Sequence, residues 1–266
     1  MTTRAMTSVY ALDNRHADAP MHHDALSVMF DPFTTGRITD LLALNGKRCL
    51  EVGAGGGSIA LWLAERVGPF GRVLATDLAP QLIPSNHRLQ VLRHDLATEP
   101  LPEGPWDLVH ARLVLSHMPN RHQILQDMTA RLAPDGILLV EDWTPRLDAV
   151  LVAPDQDTER LYLHFQEAVS RVFATAGSDR AWGRQIHQAM LDAGLLDVQT
   201  VIHAESWPGG TAGARLMQAT VEQLRPQLLT TGQSEEQLAR VQTLLDDPGL
   251  ILQGHPMYST CGRSPG

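Results

Sequence analysis

Short apolar runs alternate with stretches of helical spacing along residues 47–142. Arg48 to Val52 forms one such run, a predicted strand that stops at a glycine cluster. Ile59, Trp62, Leu63, Arg66 and Val67 then recur at the spacing of a helix face. Further strands are predicted at Arg72 to Thr76, closed by Asp77, at Leu89 to Arg93, closed by Asp95, and at Asp107 to Ala111. Asn120 as N-cap with Gln123 as its capping partner opens a helix whose buried stripe is Ile124, Leu125, Met128 and Leu132, and Pro134-Asp135-Gly136 stops it. Ile137 to Val140 is continuously apolar, as expected of a strand covered by helices on both faces. This alternation implies right-handed crossovers and a doubly wound α/β sheet, with its ligand at the carboxyl ends of the strands.

The flanks differ. The chain is polar up to about Pro20, and an imperfect apolar face from Asp24 to Leu44, interrupted at Pro32 and Gly36, predicts a two-part helix. Residues 1–45 are thus expected to be an N-terminal helical segment ahead of one main domain over 46–266. Beyond Asp142, helices are predicted around Leu161, Phe165, Val169 and Val172, and around Trp182, Ile186, Met190 and Ala193 up to Gly194, followed by a strand near Val198 to Ala204. A helical pair carries Leu216, Val221, Leu224 and Leu228, then Leu238, Val241 and Leu245 behind a Ser234-Glu235-Glu236-Gln237 capping box, and Pro256 to Gly262 suits a last strand. The insertions at about 145–180 and 205–250 should cap the strand ends as a helical lid over an apolar small molecule.

Composition narrows the partners. With 21 Lys+Arg against 30 Asp+Glu the net charge is −9, and no basic stripe interrupts it, which argues against nucleic acid. Uninterrupted apolar runs such as Ile137 to Val140 fall far short of the roughly 20 residues that cross a bilayer. A cytoplasmic location with no membrane partner is expected. Cys49 and Cys261 lie in strand-like runs without C-x-x-C spacing and are expected to be reduced packing residues.

The candidate chemistry starts at Glu51-Val52-Gly53-Ala54-Gly55-Gly56-Gly57-Ser58, four glycines where a strand meets a helix. Glycines there let a ligand approach the main chain and the helix N-terminus. A structural turn or a dinucleotide site would look similar, and Gly55, Gly57 and Ala60 fit dinucleotide spacing too. Three acids add to the turn. Asp77 closes the second strand, where a carboxylate can accept from both hydroxyls of a ribose; Asp95, in Arg93-His94-Asp95-Leu96, can meet an adenine amino group; Glu51 sits inside the first strand.

In this order, Glu51 to Gly57, Asp77, Asp95-Leu96 and Trp106-Asp107-Leu108-Val109-His110-Ala111-Arg112 resemble the motifs of class I S-adenosylmethionine-dependent methyltransferases, over about residues 8–142. The chain is most similar to bacterial small-molecule methyltransferases of the quinone-biosynthesis and natural-product type, including the segment Leu115-Ser116-His117-Met118-Pro119. The resemblance implies a Rossmann-like seven-stranded sheet with the last strand antiparallel, carrying helical cap insertions. It implies S-adenosyl-L-methionine as cofactor and S-adenosyl-L-homocysteine as product. Carried over, Gly53, Ala54, Gly55 and Gly57 hold the methionine moiety, Asp77 and Leu78 the ribose and adenine edge, Asp95 and Leu96 the adenine, and Ala111 and Arg112 flank the sulfonium, with Glu51 counted among the cofactor-binding residues. Ser58 departs from a dinucleotide fingerprint starting at Gly53, and the Asn/Asp-Pro-Pro-aromatic motif of nucleic-acid amino-methyltransferases is absent.

A sulfonium methyl is already activated, so its transfer to oxygen, nitrogen or carbon needs in-line placement more than covalent help. His117, just past the fourth strand, is the candidate general base, against a packing role in the turn before Pro119. Trp143, His164 and Phe165 are candidates to contact the acceptor, and Tyr10 to cover the methionine end. Glu141 and Asp142 are adjacent and point to opposite sides of a strand, so no metal is expected. The acceptor is expected to be a small molecule of secondary metabolism, and a homodimer is the assembly considered. The readings that stay open are an NAD(P)-dependent oxidoreductase and a cyclase-like protein that binds S-adenosylmethionine without methyl transfer.

Overall fold

The computed structural model describes residues 19–145 and 150–266. The elements run α1 (Ala19–Leu41), β1 (Arg48–Val52), α2 (Ser58–Arg66), β2 (Arg72–Asp77), β3 (Leu89–Arg93), β4 (Trp106–Arg112), α3 (Arg121–Ala130), β5 (Leu132–Trp143), β6 (Val150–Val152), α4 (Gln156–Thr175), α5 (Trp182–Asp192), β7 (Leu196–His203), β8 (Ser206–Pro208), α6 (Ala212–Thr230), α7 (Glu235–Asp246), β9 (Ile251–Gln253) and β10 (Met257–Arg263). Seven strands form one sheet in the order β3-β2-β1-β4-β5-β10-β7. β1 pairs in parallel with β2 and β4, and β10 is antiparallel to both of its neighbours. The strand order reverses at β1 and β4, so the crevice beyond their carboxyl ends is the topological switch point.

Alternation along the strands sorts the core. Leu50, Val52, Val109, Leu138 and Val140 face α3 and α5, while Cys49, Val73, Leu108, Ile137, Leu139 and Cys261 face α2 and the end of α1. Both cysteines are buried and free. A third apolar cluster lies above, where α1, α4, α6 and α7 meet through Phe30, Phe165, Leu216, Leu224, Leu238 and Val241. No described helix is long and apolar enough to cross a membrane.

Three sequence expectations need correction. The N-terminal helix is not divided: α1 continues through Pro32, burying Ala25, Phe30, Thr34 and Ile38, and packs along α6. A proline inside a helix costs about 3 kcal/mol, whereas burying side chains such as Phe30 and Ile38 contributes roughly 1.5–3 kcal/mol each, so packing prevails. At α3, Asn120 is the N-cap but its side chain makes no capping bond, and Gln123 instead donates to Asp127. The helix also ends earlier than expected, at Ala130, and Leu132 and Pro134-Asp135-Gly136 belong to β5. The Ser234–Gln237 box of α7 does form. The sequence also missed a second sheet, β6-β9-β8, because strands of three residues show no periodicity; Trp207 and Leu252 pair across it and are buried.

Candidate active site

The loop after β1 is shaped by its own backbone. Gly53 and Gly55 have φ of +67° and +55°, the left-handed region that suits glycine. A Cβ on Gly53 would collide with the Val114 side chain, and one on Gly55 would lie 2.8 Å from Cε1 of His23 on α1. Gly57 is the N-cap of α2 and provides no side-chain acceptor, so the helix opens with its positive end uncapped. Asp77, at the end of β2, fastens this turn: Oδ2 accepts from the Gly55 N–H and Oδ1 from the Ala79 N–H, both at 2.8 Å. Two adjacent hydroxyls are donors that suit a strand-end carboxylate. The carbonyl of Asp77 accepts from His94 N–H, which draws the end of β3 alongside. There Asp95 Oδ1 accepts from Ala97 N–H, and Leu96 is partly buried beside Asp95.

Beneath the switch point lies a largely buried charged group that the sequence did not reveal as a unit. Glu51 of β1 pairs with His110 of β4, and Arg112 pairs with Glu141 of β5, so all four project from one face. His110 donates from Nδ1 to Glu51 Oε2 at 2.7 Å, and its Nε2 lies 3.4 Å from Glu141 Oε2. Thr34 of α1 donates to the same Glu141 oxygen at 2.5 Å. Burial opposes the charge on His110, but the Glu51 and Glu141 carboxylates outweigh it and push the imidazole up to about 9, while His110 and Arg112 hold Glu141 below the usual carboxylate range against its burial. Arg112 donates to Asp31 (2.7 Å) and to Thr34 (3.0 Å), fixing α1 across the sheet edge. The available signal was three polar residues inside otherwise apolar strands.

The chain then turns sharply. Leu113 has φ of +58°, rare for a branched side chain, and its N–H donates to Glu141 carbonyl. This bend sends Val114 against Gly53 and places Leu113, Ser116 and His117 in the wall of a cavity of about 710 Å³ including its open mouth. α1 supplies His22 and Leu26, the end of β5 supplies Trp143, α4 supplies Gln166, Val169 and Phe173, and α6 supplies Met217 and Thr220. Arg180 and His255 complete it. Asp142, on the opposite face from Glu141, accepts from the backbone N–H groups of Ser116 and Trp143, and burial raises its carboxyl to about 7.

His117 therefore lines the cavity, with Nδ1 3.0 Å from Ser178 Oγ. Burial, helped by Arg121 and Arg180, lowers its pKa to about 4, so it is a neutral imidazole and a weaker base than the near-neutral one expected from sequence. Trp143 lines the cavity as well, but the structure does not bring His164 and Phe165 there. Phe165 is buried in the helical cluster, and His164 faces Gln233, because the cavity face of α4 is the Gln166, Val169, Phe173 stripe. Ala111 is buried at the end of β4, Leu78 is exposed next to Asp77, and Tyr10 lies outside the described residues. Gln166, Arg180 and His255 were missed; no local pattern marks them.

A family model described as a methyltransferase domain matches residues 30–201. Among curated relatives, methyltransferase Str3 of Strobilurus tenacellus is 41% identical over 99 residues, 36% of this chain and 35% of that protein. The secondary metabolism regulator LAE1 of Cochliobolus heterostrophus is 30% identical over 171 residues, 60% of this chain and 54% of that protein. The matches thus span about half the length of these relatives or less. Phosphoethanolamine N-methyltransferase 2 of Haemonchus contortus, solved with S-adenosyl-L-methionine, superposes with a TM-score of 0.59 over 98% of this chain and 61% of that one, at 13% identity, a likeness of fold.

Proposed function

From the premise that the chain belongs to the methyltransferase-domain family matched over residues 30–201, we propose that it transfers a methyl group from S-adenosyl-L-methionine to a small molecule held in the cavity beyond β4 and β5. The observation that carries this reading is Asp77, a buried strand-end carboxylate fastened to a loop of left-handed glycines at the switch point. The residues suit the cofactor's parts. The uncapped start of α2 and the Gly53–Gly57 turn would take the methionine end, Asp77 the ribose hydroxyls, and Asp95 with Leu96 the adenine. Glu51 would act from below, through His110, rather than by touching the ligand.

When bound, the cofactor supplies a methyl group already activated on a sulfonium. The chain's part is orientation. Leu113 and Val114 link cradle to cavity, so the strained turn between them sets where an acceptor atom lies relative to the methyl. Holding two reactants in line is worth effective molarities of about 10⁵–10⁸ M, which needs no strong base. His117, neutral and 3.0 Å from Ser178, can still accept a proton that an acceptor hydroxyl has largely released, and otherwise positions it. α4, α6 and residues 178–180 act as the cover that excludes water. A place in secondary metabolism is supported by the similarity to LAE1, a secondary metabolism regulator.

The test is calorimetric titration of the protein with S-adenosylhomocysteine and with NADPH, followed by incubation of methyl-labelled S-adenosylmethionine with a small-molecule extract of the producing cells. Saturable binding of S-adenosylhomocysteine and label in a small metabolite are expected. Binding of NADPH instead would overturn the reading in favour of an oxidoreductase.

A further inference from the structure

The cavity wall contains a cation with no anion to match it. Arg180 lines the cavity largely buried, with its guanidinium carbon 5.6 Å from the centroid of the Phe173 ring. Among the described residues it makes no hydrogen bond and no ion pair. Burial lowers its pKa to about 10, which leaves it charged at neutral pH. The adjacent carboxylate, Asp179, is already engaged: it accepts from Ala181 N–H and from Gln185, and pairs with Arg121. The neighbouring imidazoles offer no charge, since burial holds His22, His117 and His255 well below neutrality. A guanidinium partly withdrawn from water gains from an anion that completes it, and its planar fork matches a carboxylate or phosphate oxygen pair.

Two further polar atoms point the same way. Gln166 donates its amide N–H to Tyr162 and Met217, which leaves its buried Oε1 without a donor, and His255 Nδ1 is likewise buried without a partner. An apolar wall of Leu26, Leu113, Trp143, Val169 and Phe173 surrounds these groups. We infer that the molecule this cavity takes is an organic acid with an apolar body, its anionic group on Arg180 and a hydroxyl or amine on Gln166. The inference rests on the reading of the cavity as the acceptor site, and it deepens that reading by naming the substrate class.

The experiment uses two probes of equal shape, naphthalene-2-carboxylate and naphthalene-2-carboxamide, titrated calorimetrically into the full chain saturated with S-adenosylhomocysteine. The carboxylate is expected to bind at least about tenfold more tightly than the amide, as one charge-assisted pair allows. Arg180→Met should abolish that preference, and Arg180→Lys should keep part of it, while the affinity for S-adenosylhomocysteine stays unchanged in both. Equal binding of the probes, a preference that survives Arg180→Met, or no saturable carboxylate binding below about 10 mM would overturn the inference. Loss of S-adenosylhomocysteine binding by the wild-type chain would instead count against the methyltransferase reading; the carboxylate preference, measured without it, would still decide the role of Arg180.

Discussion

The proposed cofactor cradle and the proposed acceptor cavity share one edge of one sheet and are built in opposite ways. The cradle comes from consecutive residues, Gly53 to Gly57, and one strand-end acid, and it presents mainly backbone. The cavity collects side chains from α1, the turn after β4, the end of β5, α4, residues 178–180, α6 and His255, and it presents mainly side chains. Backbone geometry is fixed by a few glycines and hydrogen bonds, so it can serve the same cofactor in chains that differ widely elsewhere. A wall of side chains from distant segments changes with any one of them, and that is where the proposed acceptor specificity would reside.

Substitutions can break this contrast in order of size. The buried group beneath the switch point centres on His110, and His110→Leu strands two buried carboxylates; stability is expected to fall by about 3–5 kcal/mol, measured by urea unfolding. A loss below 1 kcal/mol would show that the Glu51–His110–Glu141 array is not coupled to the fold. Asp77→Ala removes the acceptor of the Gly55 and Ala79 N–H groups and should weaken S-adenosylhomocysteine about a hundredfold, whereas Phe173→Ala in the cavity wall should leave that affinity within about twofold. Similar losses in both variants would erase the distinction between cradle and cavity. Gly53→Ala forces a side chain into the left-handed region against Val114, and a drop of about 1–2 kcal/mol is expected in the same unfolding assay.

The two regions should also differ in pH response. His110 has a folded pKa raised from 6.5 to about 9, so its stabilisation is complete below 6.5 and is lost as pH rises through 9. The cavity imidazoles behave oppositely. His22, His117 and His255 are lowered to about 3, 4 and 3, so their contribution is present above 6.5 and is lost as pH falls through those values. Stability measured against pH should fall on both sides of this range, the alkaline limb shrinking in His110→Gln and the acid limb in His255→Gln. An alkaline limb unchanged in His110→Gln would contradict the first assignment. The smallest effect expected is in His117→Ala, about a tenfold loss of kcat with cofactor affinity intact, as orientation outweighs base catalysis.

The same contrast explains what the sequence reveals. Gly53, Gly55, Gly57 and Asp77 are legible because a glycine turn followed by a strand-end acid is a local pattern, and the doubly wound sheet is legible in the alternation of strands and helices, whereas the antiparallel last strand was implied by the family resemblance. On α4 the helix is legible but its orientation is not: Phe165, at the centre of the apolar stripe, turns into the helical cluster, and the cavity takes the adjoining face with Gln166. Pro32 misleads for a related reason, since only the packing of α1 on α6 decides whether the helix continues. Arg180 and His255 are distant in sequence and meet only through tertiary structure.

One edge of this sheet is proposed to present an adenosyl sulfonium to a side-chain cavity. A crystal structure of the chain with S-adenosylhomocysteine tests it most directly. The ribose hydroxyls are expected on Asp77, with the sulfur facing the space between Leu113 and Trp143. A nucleoside bound elsewhere, or with its sulfur turned away from that space, would contradict it.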